Sequence, residues 1–193
     1  MLQRFDITTL PATPWKNGGG STREIVCRPA GAGMDGFDWR VSIATIDKAG
    51  PFSAFPGVER VIMLLDGDGV HLRSDNGVDH RLDHLYLPFA FSGDAALDCS
   101  LLGGPSTDFN VMTRRGALRA QVQVLRGATA LSKASRGLLL ALRGHWRLAG
   151  GGTELTFTAQ QGLWWDAAAH EWQLAPEDHG AALVWVRLDT AGV

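Results

Sequence analysis

The feature that most constrains this chain is its punctuation. Glycine, 24 of the 193 residues, keeps interrupting short apolar stretches, so no segment sustains a helical 3.6-residue pattern over three turns. The stretch 38–46 alternates instead, with Trp39, Val41 and Ile43 on one face and Arg40, Ser42 and Ala44 on the other. That is the two-residue period of a strand. Stretches 22–28, 60–65, 70–73, 78–82 and 85–91 read as further short strands. Asp75-Asn76-Gly77 marks a tight hairpin, because Asn-Gly tolerates positive φ at both central positions. Gly50-Pro51-Phe52 and Phe55-Pro56-Gly57 read as a turn-rich loop. Many short strands with glycine-rich turns call for a sandwich or barrel.

The same phrase returns in the second half. Stretches 138–142, 145–148 and 154–158, separated by Arg143-Gly144 and Gly150-Gly151-Gly152, repeat the order strand, glycine turn, strand, hairpin, strand. Residues 161–165 then stand where 85–91 stood. The offset from Gly67 to Gly144 predicts two barrels, residues 1–105 and 106–193, with Asn76-Gly77 and Gly151-Gly152 at equivalent hairpins and 107–124 crossing between them. Residues 128–136 have the composition of a short helix ended by Gly137. The competing reading is one larger irregular sandwich. The repeated strand order matches the jelly-roll and cupin arrangement, so the fold expected is an all-β double cupin whose closure hides strand edges and leaves a mouth for one ligand.

Apolar residues at 45% and charged residues at 20% suit a globular core. A formal charge of -2 gives no basic footprint for nucleic acid or an anionic membrane. No apolar run reaches bilayer length, and Met1-Leu2-Gln3-Arg4-Phe5-Asp6 has no signal core. Cys27 and Cys99 lack a Cys-x-x-Cys spacing. The expectation is a cytoplasmic protein with two packed thiols.

Four groups of residues could carry chemistry. Lys16-Asn17-Gly18-Gly19-Gly20 offers backbone N–H groups for an anion nest or, more plainly, a flexible turn. Arg40, Ser42 and Arg60 lie on strands that otherwise read as interior. A buried guanidinium needs an anionic partner, either an internal carboxylate or that of a ligand. In 108–115 the alternation puts Asp108, Asn110, Met112 and Arg114 opposite Phe109, Val111 and Thr113, either towards a mouth or as a solvated face. Trp164, Trp165 and Trp172 read as core rather than pocket wall. Metal cupins use two histidines one residue apart, then Glu and a later His. The spacing of His71, His80 and His84 provides no such pair, so neither a metal nor any other cofactor is expected.

Taken together, these strings resemble the HutD/Ves family of double-cupin proteins. The resemblance is carried by Pro14 to Gly20 with Thr22 and Glu24, Trp39-Arg40-Val41-Ser42, Gly50-Pro51-Phe52-Ser53 with Phe55-Pro56-Gly57, Arg60 to Leu65, Phe91-Ser92-Gly93 and Asp108 to Met112 with Arg114, in family order. It implies a bicupin linked to bacterial histidine utilisation, acting as an accessory or regulatory protein that binds urocanate or formylglutamate. The implied pocket lies in the first barrel near Lys16, Asn17, Arg40, Ser42, Arg60, Asp108, Phe109 and Asn110. The partner expected is thus a small anionic metabolite, with a homodimer left open as the assembly. Two other readings stand beside it. One is a metal-independent isomerase, lyase or hydrolase using Asp108 or Glu24 as base. The other is a purely structural partner-binding protein.

Overall fold

A computed structural model describes residues 1–75, 77–167 and 169–191. The chain lays down β1 (Leu2–Asp6), β2 (Ala12–Pro14), β3 (Gly20–Arg28), β4 (Trp39–Ile46), β5 (Gly50–Phe52), β6 (Val58–Asp66) and β7 (Val70–Arg73). Then come β8 (Asp79–Leu82), β9 (Phe89–Ser92), β10 (Leu97–Leu101), β11 (Ser106–Arg114), β12 (Leu118–Leu125) and β13 (Thr129–Ala134). The last are β14 (Gly137–Arg143), β15 (Trp146–Gly150), β16 (Thr153–Phe157), β17 (Gln161–Trp165), β18 (His170–Pro176) and β19 (Ala182–Thr190). Helix is confined, among the described residues, to one four-residue turn at Gly33–Gly36 and a 3-10 turn at Ile7–Thr9.

Two compact units result. Among the described residues the N-terminal unit comprises 10–119 with 191, and the C-terminal unit comprises 1–9 with 120–190. The boundary is therefore not the 105/106 expected. β11 is a central strand of the first unit, between β4 and β6, and β1 pairs with β17 of the second. Within the N-terminal unit a six-stranded sheet, β2-β3-β4-β11-β6-β9, stacks on a four-stranded one, β5-β10-β7-β8. Ile46, Ile62, Leu64, Leu72, Leu82 and Leu97 from the two sheets share one apolar cluster between them. In the C-terminal unit β1-β17-β14-β19-β12 stacks on β13-β18-β15-β16 around Trp146, Trp165, Trp172 and Leu139. The small sheets have the same order in both units, and β4-β11-β6-β9 corresponds to β12-β19-β14-β17. The repeat is real. The closure is not: among the described residues each unit is a pair of open sheets.

Three local expectations change, and the two hairpins stand where they were expected. Only Phe89–Ser92 of 85–91 is a strand, because Tyr86 takes a left-handed φ of 64° and leaves Leu85 and Leu87 exposed. The 128–136 segment is β13, paired with β18, because Leu131 and Ala134 are claimed by the core. Gly50–Phe52 is a short edge strand on β10. The β7–β8 pairing brackets the hairpin with Gly77 at φ 93°, while Asn76 lies outside the described residues. Gly151 and Gly152 close the matching β15–β16 hairpin.

Gly67 and Gly144 hold the corresponding turns at φ 92° and 73°. A Cβ at Gly67 would run into the Pro105 carbonyl oxygen, whereas at Gly116, φ 82°, it would meet open space. Gly116→Ala should therefore cost only the positive-φ strain, about 1 kcal/mol. Gly67→Ala adds a backbone clash and should lower the melting temperature by about 4–8 °C, given about 2–4 °C per kcal/mol at this size. Equal losses in the two variants, measured by thermal denaturation, would contradict the turn packing.

Candidate functional site

The inner face of the six-stranded sheet is set by register. β3, β4, β11 and β6 align Thr22, Ala44, Asp108 and Leu64 in one cross-strand row and Glu24, Ser42, Asn110 and Ile62 in the next. A third row places Arg40, Met112 and Arg60 side by side on β4, β11 and β6. A register shift in β3 between Glu24 and Val26 falls beside this third row. Apart from Ile62 and Leu64, which belong to the apolar core, these side chains line a cavity of about 790 Å³ within the N-terminal unit, together with Trp15, Phe52, Phe55 and Met34 of the helical turn. That volume lies in the range of small-molecule sites.

The two arginines are treated differently. Arg40 takes the ordinary solution, donating from Nε to Glu24 Oε2 at 2.8 Å and from a terminal nitrogen to Ser42 Oγ at 3.2 Å. Arg60 does not. It is 6% exposed, and no protein group accepts from its Nε. Its guanidinium lies over the rings of Phe91, Phe55 and Phe52 at 5.0, 5.5 and 5.7 Å. Ring quadrupoles offset part of the desolvation, about 0.5–2 kcal/mol each, but supply no acceptor for an N–H. Burial pulls this guanidinium down to about 10, with Asp108 opposing the fall and Arg40 adding to it. Arg60 is therefore a cation at neutral pH.

Asp108 and Asn110 complete the pattern. Each has a buried Oδ1 with no donor. Desolvation pushes the Asp108 carboxyl up to about 7, against the pull of Arg60 and of its own backbone N–H. The cavity thus presents one donor and two acceptors that the protein leaves unpaired, a costly arrangement in a low-dielectric interior.

The other expected residues fall at the rim or away from it. Lys16 and Asn17 line the mouth and are exposed. Asn17 spends its Oδ1 on the Gly19 N–H at 3.0 Å, and Gly18 donates to the Trp15 carbonyl oxygen at 3.0 Å. The glycine triplet is therefore a turn packed on Thr45, not an anion nest. Phe109 is a correction: it is fully buried on the opposite face of β11 and does not line the cavity. Arg114 leaves the row to brace a loop through the Asp35 and Phe37 carbonyl oxygens at 2.7 and 3.3 Å. The aromatic cage of Phe52, Phe55 and Phe91 went unread in the sequence, although Phe52 and Phe55 stand in the glycine–proline strings.

The repeat makes the contrast sharp. By register, the counterparts of Arg60, Asp108 and Asn110 in the second unit are Gly137, Leu183 and Trp185. A Cβ at Gly137 would strike the Trp165 ring, so aromatic packing fills the position that a charge holds in the first unit. Trp165 and Trp172 are core, as expected. No histidine lines the cavity: His71 pairs with Asp79 at 2.6 Å, His84 with Asp83 at 2.7 Å, and His80 stacks on Phe89 at 3.6 Å. Among the described residues no group of three or more His, Cys, Asp or Glu is placed to hold a metal ion. No described helix is long and apolar enough to cross a membrane.

A family model described as HutD matches residues 7–184. An uncharacterized 21.2 kDa protein in the hutC 3' region of Pseudomonas putida is 43% identical over 158 residues, covering 80% of each chain. Protein Ves of Citrobacter koseri is 41% identical over 174 residues, 90% of this chain and 87% of the relative. The solved HutD of Pseudomonas fluorescens SBW25, described for a formate condition, covers 100% of both chains at 31% identity with a TM-score of 0.82. A cupin 2 conserved barrel domain protein from Leptotrichia buccalis, at 8% identity and a TM-score of 0.62 over 97% of this chain and 96% of its own, shares the cupin fold alone.

The raised Asp108 carboxyl has a testable consequence for stability. Between about pH 4 and 7 the unfolded chain is ionised at this position while the folded one keeps its proton, so rising pH removes stability across that window and levels off above it. Asp108→Asn carries no such dependence. Its melting temperature relative to the parent should rise from pH 4 to pH 7 and then stay constant. A difference that is flat over this range would show that Asp108 ionises normally.

Proposed function

Because this chain belongs to the HutD family, we propose that it binds a small carboxylate metabolite through Arg60 and serves as an accessory, regulatory protein of histidine utilisation. The observation that carries the reading is Arg60 itself: a buried cation whose Nε has no protein acceptor, at the wall of a cavity large enough for a small molecule. A ligand carboxylate supplies the missing acceptor, in a charge-assisted contact that contributes about 1.5–3 kcal/mol. Ser42 and Asn110 orient it, and Lys16 at the rim draws anions towards the mouth. Phe52, Phe55, Trp15 and Met34 give apolar walls for the ligand's body. The family favours urocanate or formylglutamate, and the hutC-region relative fits that setting. A guanidinium, an amide and a hydroxyl suffice for such binding, so the reading calls for no metal or cofactor.

A second reading has one observation in its favour. Asp108 is a cavity carboxyl pushed up to about 7, the tuning expected of a general base. On that reading the protein is a metal-independent enzyme acting on the same carboxylate. Incubation with each candidate, followed by NMR of the recovered small molecule, separates the two, and the binding reading predicts unchanged ligand.

At about a hundredfold excess over Kd, ligand should add about 2.7 kcal/mol of apparent stability, a melting shift of about 5–11 °C. Arg60→Lys keeps the charge but loses the planar fork and should bind more weakly. Arg60→Ala should weaken binding further, and His84→Ala, remote from the cavity, should not change it. Calorimetry with urocanate and formylglutamate on these variants tests the placement. Wild-type affinity in a folded Arg60→Ala protein would remove the pocket from this part of the chain.

A further inference from the structure

The carboxylate reading leaves Asp108 unexplained, since an anion beside a bound anion works against binding. Asp108 is 2% exposed, its Oδ1 has no donor, and it lines the same cavity as Arg60. The charged and titratable groups around it are few. Arg60 faces it from β6, while Arg40 on β4 is already committed to Glu24 of β3 at 2.8 Å. Cys99 of β10, a thiol pushed up to about 12 by burial and by Asp108, stays neutral. Lys16 sits exposed at the rim. Among these described residues Arg60 is the one buried cation without a carboxylate hydrogen-bonded to it. It cannot balance both Asp108 and a ligand carboxylate as anions.

Resting on the carboxylate reading, we propose that Asp108 takes part in the complex as the neutral acid, donating its hydrogen to an oxygen of the anion held by Arg60, so that a site with Asp108 ionised takes up one proton as the carboxylate binds. The proton comes from solvent when Asp108 is ionised in the free protein, and no bond other than O–H is made or broken. Two carboxyl groups that share a site stabilise one shared proton between them. The free site is already poised near neutrality by burial, so the linkage acts within the physiological range. Below about pH 7 the acid is already in place and affinity is flat. Above it the proton must be captured, and affinity falls about tenfold per pH unit. Binding thereby responds to pH as well as to metabolite level.

Sodium formate is the probe, because it fits any carboxylate site and has no group titrating between pH 6 and 9. Titrations at pH 6.5 and 8.5, at constant ionic strength with chloride as the control anion, should show roughly 25-fold weaker binding at the higher pH. Asp108→Asn keeps a hydrogen-bond donor and should bind equally at both. Where that variant fails to fold, calorimetry of the parent at pH 8.5 in two buffers of different ionisation enthalpy gives the same answer through close to one proton taken up. Formate binding that is independent of pH, or without proton uptake, overturns the proposal and leaves the carboxylate reading standing. No formate binding at pH 6.5 overturns both.

Discussion

A guanidinium buried among three phenyl rings, with no carboxylate hydrogen-bonded to it, is the constraint on which the N-terminal unit turns. Moving an arginine out of water costs several kcal/mol after relaxation. The usual remedy is visible two strands away in the same sheet, where Arg40 donates to Glu24. Arg60 has aromatic faces instead, and its Nε finds no acceptor. Cation–π attraction lowers the cost without removing the directional need of the N–H. Asp108 feels the same field but is itself so desolvated that its carboxyl is pushed up to about 7, leaving it only partly charged at neutral pH. The wall thus holds a buried cation whose Nε finds no acceptor within the chain.

The duplicated architecture shows what this arrangement displaces. Both units stack a larger sheet on a four-stranded one with the same strand order. Where the second unit has Gly137, Leu183 and Trp185, the first has Arg60, Asp108 and Asn110. The second interior is closed by Trp146, Trp165 and Trp172, each fully or almost fully buried. The first also carries β2 and β3 beside β4, which bring Thr22 and Glu24 to the cavity and place Lys16 at its mouth. The second copy leaves two indole N–H groups unpaired, at Trp172 and Trp185, whereas the first gathers an unpaired guanidinium, carboxyl and amide at one cavity, the pattern expected of a functional site.

Much of this was legible wherever a two-residue period decides the outcome. Alternation alone separates Arg40 and Ser42 from Trp39 and Val41, and Asp108 and Asn110 from Phe109, because a strand offers only two faces. Phe109 entered the expected site through a family string, although its own alternation argued against it. What depends on distant pairing was not legible. No local pattern says that β1 will join β17, or that β11 will sit between β4 and β6, so the unit boundary at 119/120 could not be read. Nor could the cage, since Phe52, Phe55 and Phe91 come from separate segments and meet only around Arg60. The Lys16–Gly20 turn looked like an anion nest because composition does not reveal that Asn17 and Trp15 take up the available N–H groups.

The central claim is that a ligand carboxylate supplies the acceptor that Arg60 lacks. A crystal structure of the protein grown with urocanate tests it most directly. The account predicts density for the carboxylate within hydrogen-bond reach of Arg60, with the rest of the molecule between Phe52, Phe55 and Trp15. Urocanate bound elsewhere, with Arg60 surrounded only by water in the same crystal, would contradict it.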